Sequence, residues 1–126
     1  MSALLLAALL AGPAAAAPTL AEANALYESA RYGEAAAAYE ALLAAAPHSA
    51  ALHYNLGNAR YRSGGPGALG RATASWLRAW RLDPRDGDAR ANLDFALKRA
   101  GESLVPADLP PAVFALYHLL SRDELA

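Results

Sequence analysis

Residues 50–84 read AALHYNLGNARYRSGGPGALGRATASWLRAWRLDP. The spacing predicts two amphipathic helices joined by a Gly-rich turn and stopped at Asp83-Pro84, because the residue before proline disfavours helix. The stretch upstream has the same layout. Asn24 and Tyr27 recur as Asn58 and Tyr61, 34 residues later, and Ala35, Tyr39 and Pro47 recur as Ala72, Trp76 and Pro84, 37 residues later. A helix–turn–helix unit returning at such a period is the signature of a helical-repeat protein.

The two offsets locate an insertion. First-helix residues keep the step of 34 and second-helix residues take 37, so three extra residues lie between those helices, in Ser63-Gly64-Gly65-Pro66-Gly67. Gly and Pro tolerate turns, so the insertion falls where a helix pair absorbs it. Asn55-Leu56 recurs as Asn92-Leu93, 37 residues on, which starts a third unit.

Working outward, Thr19-Leu20-Ala21-Glu22 reads as a capping box opening a first helix over about residues 20–30. Arg31-Tyr32-Gly33 is expected to turn the chain into a second helix, 34–45, with Ala35, Ala38, Tyr39 and Leu42 on one stripe. A third helix is expected over 49–62 and a fourth over 68–82. Their packing stripes are Leu52, Leu56 and Ala59, and Ala72, Trp76 and Ala79. Trp76 and Trp80, one turn apart, read as core and near-core residues. Gly57 costs up to ~1 kcal/mol inside a helix; a close crossing with a neighbouring backbone would explain it. Asp86 caps a fifth helix, 87–100, and Gly101 ends it.

The fold expected is all-α, two full helical-hairpin repeats plus a half repeat over 18–101. Segment 102–111 is a proline-rich connector. Segment 112–126 is a short apolar helix with a polar end, read either as the cap that an open repeat stack requires or as a pre-membrane segment. At the other end, residues 3–11 are an unbroken apolar run, followed by Gly12-Pro13 and small residues. That pattern reads as a secretory leader, 1–17, cleaved near Ala16, although no Lys or Arg precedes the run. The competing reading is an uncleaved anchor.

Composition narrows the function. The 126 residues carry a formal net charge of -1, which gives no global field for nucleic acid. The absence of cysteine removes disulfides, thiolate metal sites and a cysteine nucleophile. His48, His53 and His118 are not spaced as metal ligands, and no nucleophile elbow is present. The glycines of 64–70 lack the Lys-Ser/Thr ending of a phosphate loop. No enzyme activity, cofactor or metal is expected.

What remains is surface. Asn24, Tyr27, Glu28 and Arg31 share one face of the first helix, and Tyr54, Asn58, Tyr61 and Arg62 the matching face of the third. Asn92, Phe95, Lys98 and Arg99 run down the fifth. Side by side, these faces form a strip of amide, aromatic and arginine groups, the types in which binding energy concentrates. The plain alternative is a solvated face whose tyrosines pack on their neighbours. The groove residues expected are Asn24, Tyr27, Tyr54, Asn58, Tyr61, Arg62, Phe95 and Arg99.

Over residues 19–100 the chain resembles tetratricopeptide-repeat proteins, through Asn55-Leu56-Gly57-Asn58-Ala59, Tyr32 with Ala35 and Tyr39, and Leu82-Asp83-Pro84. The resemblance implies an α-solenoid whose first helices line a concave groove for a protein or peptide. Some members grip a terminal carboxylate with paired basic and asparagine residues. Here Asn24 and Asn55 match the asparagines, but Leu20 and Asp88 stand where bases are needed, so no clamp is expected. A narrower resemblance is to the tetratricopeptide component of the bacterial aerotolerance operon and related membrane-tethered proteins. It rests on the leader, Arg71, the segment from Leu82 to Leu93, and the prolines before the tail. Those relatives continue into transmembrane helices, which makes a fragment of a longer anchored protein one reading of this chain. The implied setting is the periplasm or the periplasm-facing side of the inner membrane. The tail would approach a membrane-protein neighbour, and a structural subunit without a free peptide ligand, or an enzyme's accessory domain, are the competing roles.

Overall fold

The computed structural model describes residues 16–100, with 110 and 112. The leader's apolar run, the rest of the connector and the rest of the tail lie outside the described residues. Among the described residues there are five helices and no strand: α1 Leu20–Glu28, α2 Tyr32–Ala45, α3 Ala50–Ser63, α4 Ala68–Leu82 and α5 Gly87–Arg99.

Side-chain caps start α1, α3 and α5. The Thr19 hydroxyl accepts from the Glu22 N–H at 3.2 Å, while the Glu22 carboxylate accepts from the Thr19 N–H at 2.7 Å. The predicted capping box is therefore present, satisfying donors that α1 cannot pair internally. Ser49 accepts from Leu52 N–H and caps α3, which begins at Ala50, one residue later than expected. Asp86 accepts from the N–H groups of Asp88 and Asp86's next neighbour but two, Ala89, and opens α5.

The first reversal differs from expectation. α1 ends at Glu28, and Ala30 takes a left-handed conformation at φ 59°. The Ala30 N–H donates to Tyr27 O and the Arg31 N–H to Leu26 O, a Schellman closure with alanine where glycine is usual. The reversal is complete by Arg31, so Tyr32 and Gly33 already belong to α2 rather than to the turn. The inserted loop behaves as its composition suggests. Gly64, Gly65 and Gly67 all have positive φ, and the Arg71 Nη1 donates to Pro66 O at 3.0 Å across it.

Each helix packs extensively on the next one in chain order. Across α3 and α4 the hydrogen-bonded pairs are Asn58 with Trp76 and Arg60 with Ser75; residue numbers rise on one helix as they fall on the other, so the two run antiparallel. One core joins α1, α2 and α3 through Ala23, Ala35, Ala38, Tyr39, Leu52, Leu56 and Ala59. The other joins α4 and α5 through Ala72, Trp76, Ala79, Trp80, Ala89, Leu93 and Ala96, with Tyr54 of α3 packed on it. Alanine at the contacts lets helices approach closely, and the few large rings fill what is left. No helix among the described residues is long and apolar enough to cross a membrane.

Gly57 illustrates the packing and corrects its expected reason. A Cβ built there would stand 2.5 Å from both Cδ1 and Nε1 of Trp76. The glycine makes room for an indole, and not for a neighbouring backbone.

Candidate binding cleft

Asn58 is the hub. Its Oδ1 accepts from Trp76 Nε1 and from Asn92 Nδ2, both at 3.0 Å, so one amide ties α3 to α4 and α5. The same arrangement recurs one unit earlier. Asn24 Oδ1 accepts from the Tyr39 hydroxyl at 2.7 Å, and Asn24 and Tyr39 occupy the positions of Asn58 and Trp76. A buried ring with a polar tip needs an acceptor, and the first-helix asparagine supplies it each time.

Beside this hub lies a cleft of about 190 Å³ lined by Tyr27, Asn58, Tyr61, Arg62, Trp76, Asn92 and Phe95. Tyr61 packs on Trp76 with ring centroids 5.8 Å apart and meets Phe95 edge-on at 5.9 Å. Tyr61 is 38% exposed and Phe95 42%, large apolar surfaces left open to solvent. At the other end Tyr27 meets Tyr32 edge-on at 5.2 Å. The Arg62 guanidinium lies 5.0 Å over the Tyr32 ring and donates to its hydroxyl at 2.7 Å. That hydrogen bond, with the nearby tyrosine hydroxyls, raises the Arg62 pKa further above its ordinary value. Burial pushes the Tyr27 hydroxyl up; Arg62 opposes this, and Tyr32 and Tyr54 reinforce it. Among the described residues the lining is thus aromatic, with one fixed cation and no carboxylate, histidine or lysine.

Five of the eight expected groove residues line this cleft: Tyr27, Asn58, Tyr61, Arg62 and Phe95. Three do not. Asn24 is engaged by Tyr39. Tyr54 is half-buried against the α4–α5 core, its hydroxyl still felt by Tyr27. Arg99 stands over the Phe95 ring at 5.7 Å, extending the aromatic edge from outside. Two lining residues were missed. Trp76 is core, as its spacing predicts, at 2% exposed, yet its ring also floors the cleft. Asn92 lies on the expected strip though not among the expected groove residues; its signal is the need of the half-buried Asn58 carboxamide oxygen for donors. Among the described residues no group of His, Asp and Glu is arranged to hold a metal.

Fold and cleft together define an all-α protein of successive helical hairpins with an amide and aromatic cleft on one side. Neither the family models nor the curated proteins compared with this chain give a match.

Proposed function

We propose that this chain is an exported tetratricopeptide-type scaffold that binds a protein or peptide partner through the cleft beside Asn58, and that it has no catalytic role. The observation that carries the proposal is the cleft itself: open aromatic faces on Tyr61 and Phe95, a fixed Arg62 and two amides, converging from α3 and α5. Aromatic and arginine side chains of this kind carry disproportionate binding energy, and immobilising them beforehand lowers the ordering cost on association. The repeat reading is supported by the recurrence of the asparagine-to-ring hydrogen bond at matched positions. Among the described residues the lining of amides, rings and one guanidinium offers no nucleophile paired with a base, which supports binding over turnover. Export rests on the leader pattern alone.

The test is a pull-down from envelope extract with the mature chain, comparing Tyr61→Ala/Phe95→Ala with the parent. Both rings are substantially exposed, so the double variant keeps a helical melting curve close to the parent's while losing the captured partner. Tyr54 and Asn58 are unsuitable for this purpose, because one packs on the core and the other bridges three helices. Retention of the same partner by a folded double variant would remove the cleft from the proposal. For export, N-terminal sequencing of secreted material that still begins at Met1 would contradict cleavage.

A further inference from the structure

Between residues 41 and 82 the chain has five arginines and no aspartate or glutamate. Three of the five are held internally. Arg60 pairs with Glu40 at 2.8 Å and donates to Ser75, Arg62 sits on Tyr32, and Arg71 donates to Pro66 O. Arg78 and Arg81 are exposed on α4 and have no ion pair or hydrogen bond among the described residues.

Arg78 borders two adjoining clefts of about 270 and 380 Å³ that lie between α2 and α4 over α3 and share Leu43, His53 and Arg78. On α3, His53, Leu56 and Arg60 line this groove, whereas Asn58, Tyr61 and Arg62 line the aromatic cleft. At about 100° per residue these sets point to opposite sides of the helix. The groove is apolar along Leu43, Pro47 and Leu82, and Leu82 is 38% exposed. His53 is buried with its Nε2 2.9 Å from Pro47 O; a carbonyl only accepts, so that nitrogen carries the proton and the ring pins the α2–α3 corner. Glu40 at the rim already has its counter-charge in Arg60. Among the described residues the unmatched charge lining the groove is therefore the cation on Arg78.

We infer that this groove seats an acidic amphipathic helix of a second protein, with an aliphatic side chain against Leu43 and Leu82 and a carboxylate on Arg78. Charge complementarity selects the sign, since a 42-residue block without carboxylates leaves its exposed arginines to be met from outside. Shape selects a helix. From Glu40 to Ala44 the α2 wall rises about 6 Å, just over one turn, and Pro47 extends it past the helix end, the span over which a helix presents an apolar and an acidic side chain on neighbouring rows. A lipid surface fits less well, because a single unmatched cation beside an apolar trough is not a flat basic array. This surface lies on the other side of α3 from the aromatic cleft and does not depend on it.

Fluorescence anisotropy of the full chain tests the assignment. The probe is a labelled peptide of about four turns with leucines on one stripe and glutamates beside it; the controls are a scrambled peptide of equal composition and a counterpart with lysine for glutamate. The glutamate peptide binds saturably and more weakly as salt rises, and the two controls do not. Arg78→Glu weakens binding at least tenfold, Leu82→Ser weakens it as well, and Tyr61→Ala leaves it unchanged. Arg78 has no partner among the described residues, so Arg78→Glu keeps the parent's helical circular dichroism. Equal binding of the scrambled peptide, undiminished binding to Arg78→Glu, or loss on Tyr61→Ala overturns the inference. Two further results also overturn it by assigning the groove elsewhere: self-association of the parent that Arg78→Glu abolishes in sedimentation, or phosphatidylglycerol vesicles bound through Arg78 while the peptide is not.

Discussion

Replacing Gly57 by alanine sets two magnitudes against each other. Helix propensity alone favours the change by up to ~1 kcal/mol, since glycine is a poor helix former and this one lies mid-helix. The geometry opposes it. The new methyl would stand 2.5 Å from two indole atoms of Trp76, at least ~1 Å inside the optimal carbon contact. The indole cannot swing away cheaply: it is 2% exposed, its Nε1 is committed to Asn58, and Tyr61 packs on its face. Overpacking costs about 1–3 kcal/mol, and pulling Nε1 off its acceptor adds about 1–3 kcal/mol. The net expectation is a loss of about 3 kcal/mol, which lowers the melting temperature of a domain this size by about 12–24 °C. The first hairpin supplies the control. At the positions of Gly57 and Trp76 it has Ala23 and Tyr39, both buried in one core, so a smaller ring faces a larger neighbour. Gly57→Ala/Trp76→Tyr copies that combination and should regain most of the loss, giving a favourable coupling of ~2 kcal/mol in a double-mutant cycle. Thermal melts followed by helical circular dichroism measure all four proteins. A Gly57→Ala variant that melts higher than the parent, as propensity alone requires, would refute the steric argument; additive single effects would refute the ring-for-methyl exchange.

Other perturbations give independent checks. Asn58→Ala leaves the buried Trp76 Nε1 without its acceptor and unties α5, and should lower stability by about 1–3 kcal/mol in urea denaturation; an unmoved midpoint would show that the hub is ornamental to stability. Ala30→Gly relieves a left-handed alanine and should raise stability by about 0.5–1 kcal/mol, with a lower melting temperature as the opposing result. On the acid side, the Thr19 N–H and then its hydroxyl hold the Glu22 carboxyl below its ordinary value. The contribution is present above the unfolded pKa and lost as pH falls through the folded one, so Glu22→Gln should flatten the acid dependence of the melting curve. On the alkaline side, burial, reinforced by Tyr27 and Glu28, pushes the Tyr39 hydroxyl up. Its contribution is present below the unfolded tyrosine pKa and lost as pH rises through the folded value. Absorbance titration should show Tyr39 ionising late, together with Tyr27, and Tyr39→Phe should reduce the amplitude of that late phase.

The local rules of the chain were enough to place the helices. Thr19, Ser49 and Asp86 cap where their side chains can reach a free N–H, and the offsets of 34 and 37 locate an insertion whose glycines do adopt positive φ. Those are short-range matters, decided by residues within one turn of each other. Periodicity also assigned faces, which is why Tyr27, Asn58, Tyr61, Arg62 and Phe95 could be expected together. It could not say which atoms on those faces were already spent. Asn24 is consumed by Tyr39, Tyr54 leans into the second core, and Trp76 serves as both core and cleft floor. The pairing of Arg60 with Glu40 and Ser75, which leaves Arg78 as the unmatched cation of its groove, likewise depends on distances between helices. A repeat pattern fixes the direction in which a side chain points, whereas a hydrogen bond or a steric exchange needs the separation and rotamer of its partner across the interface. Only the packed tertiary structure supplies those.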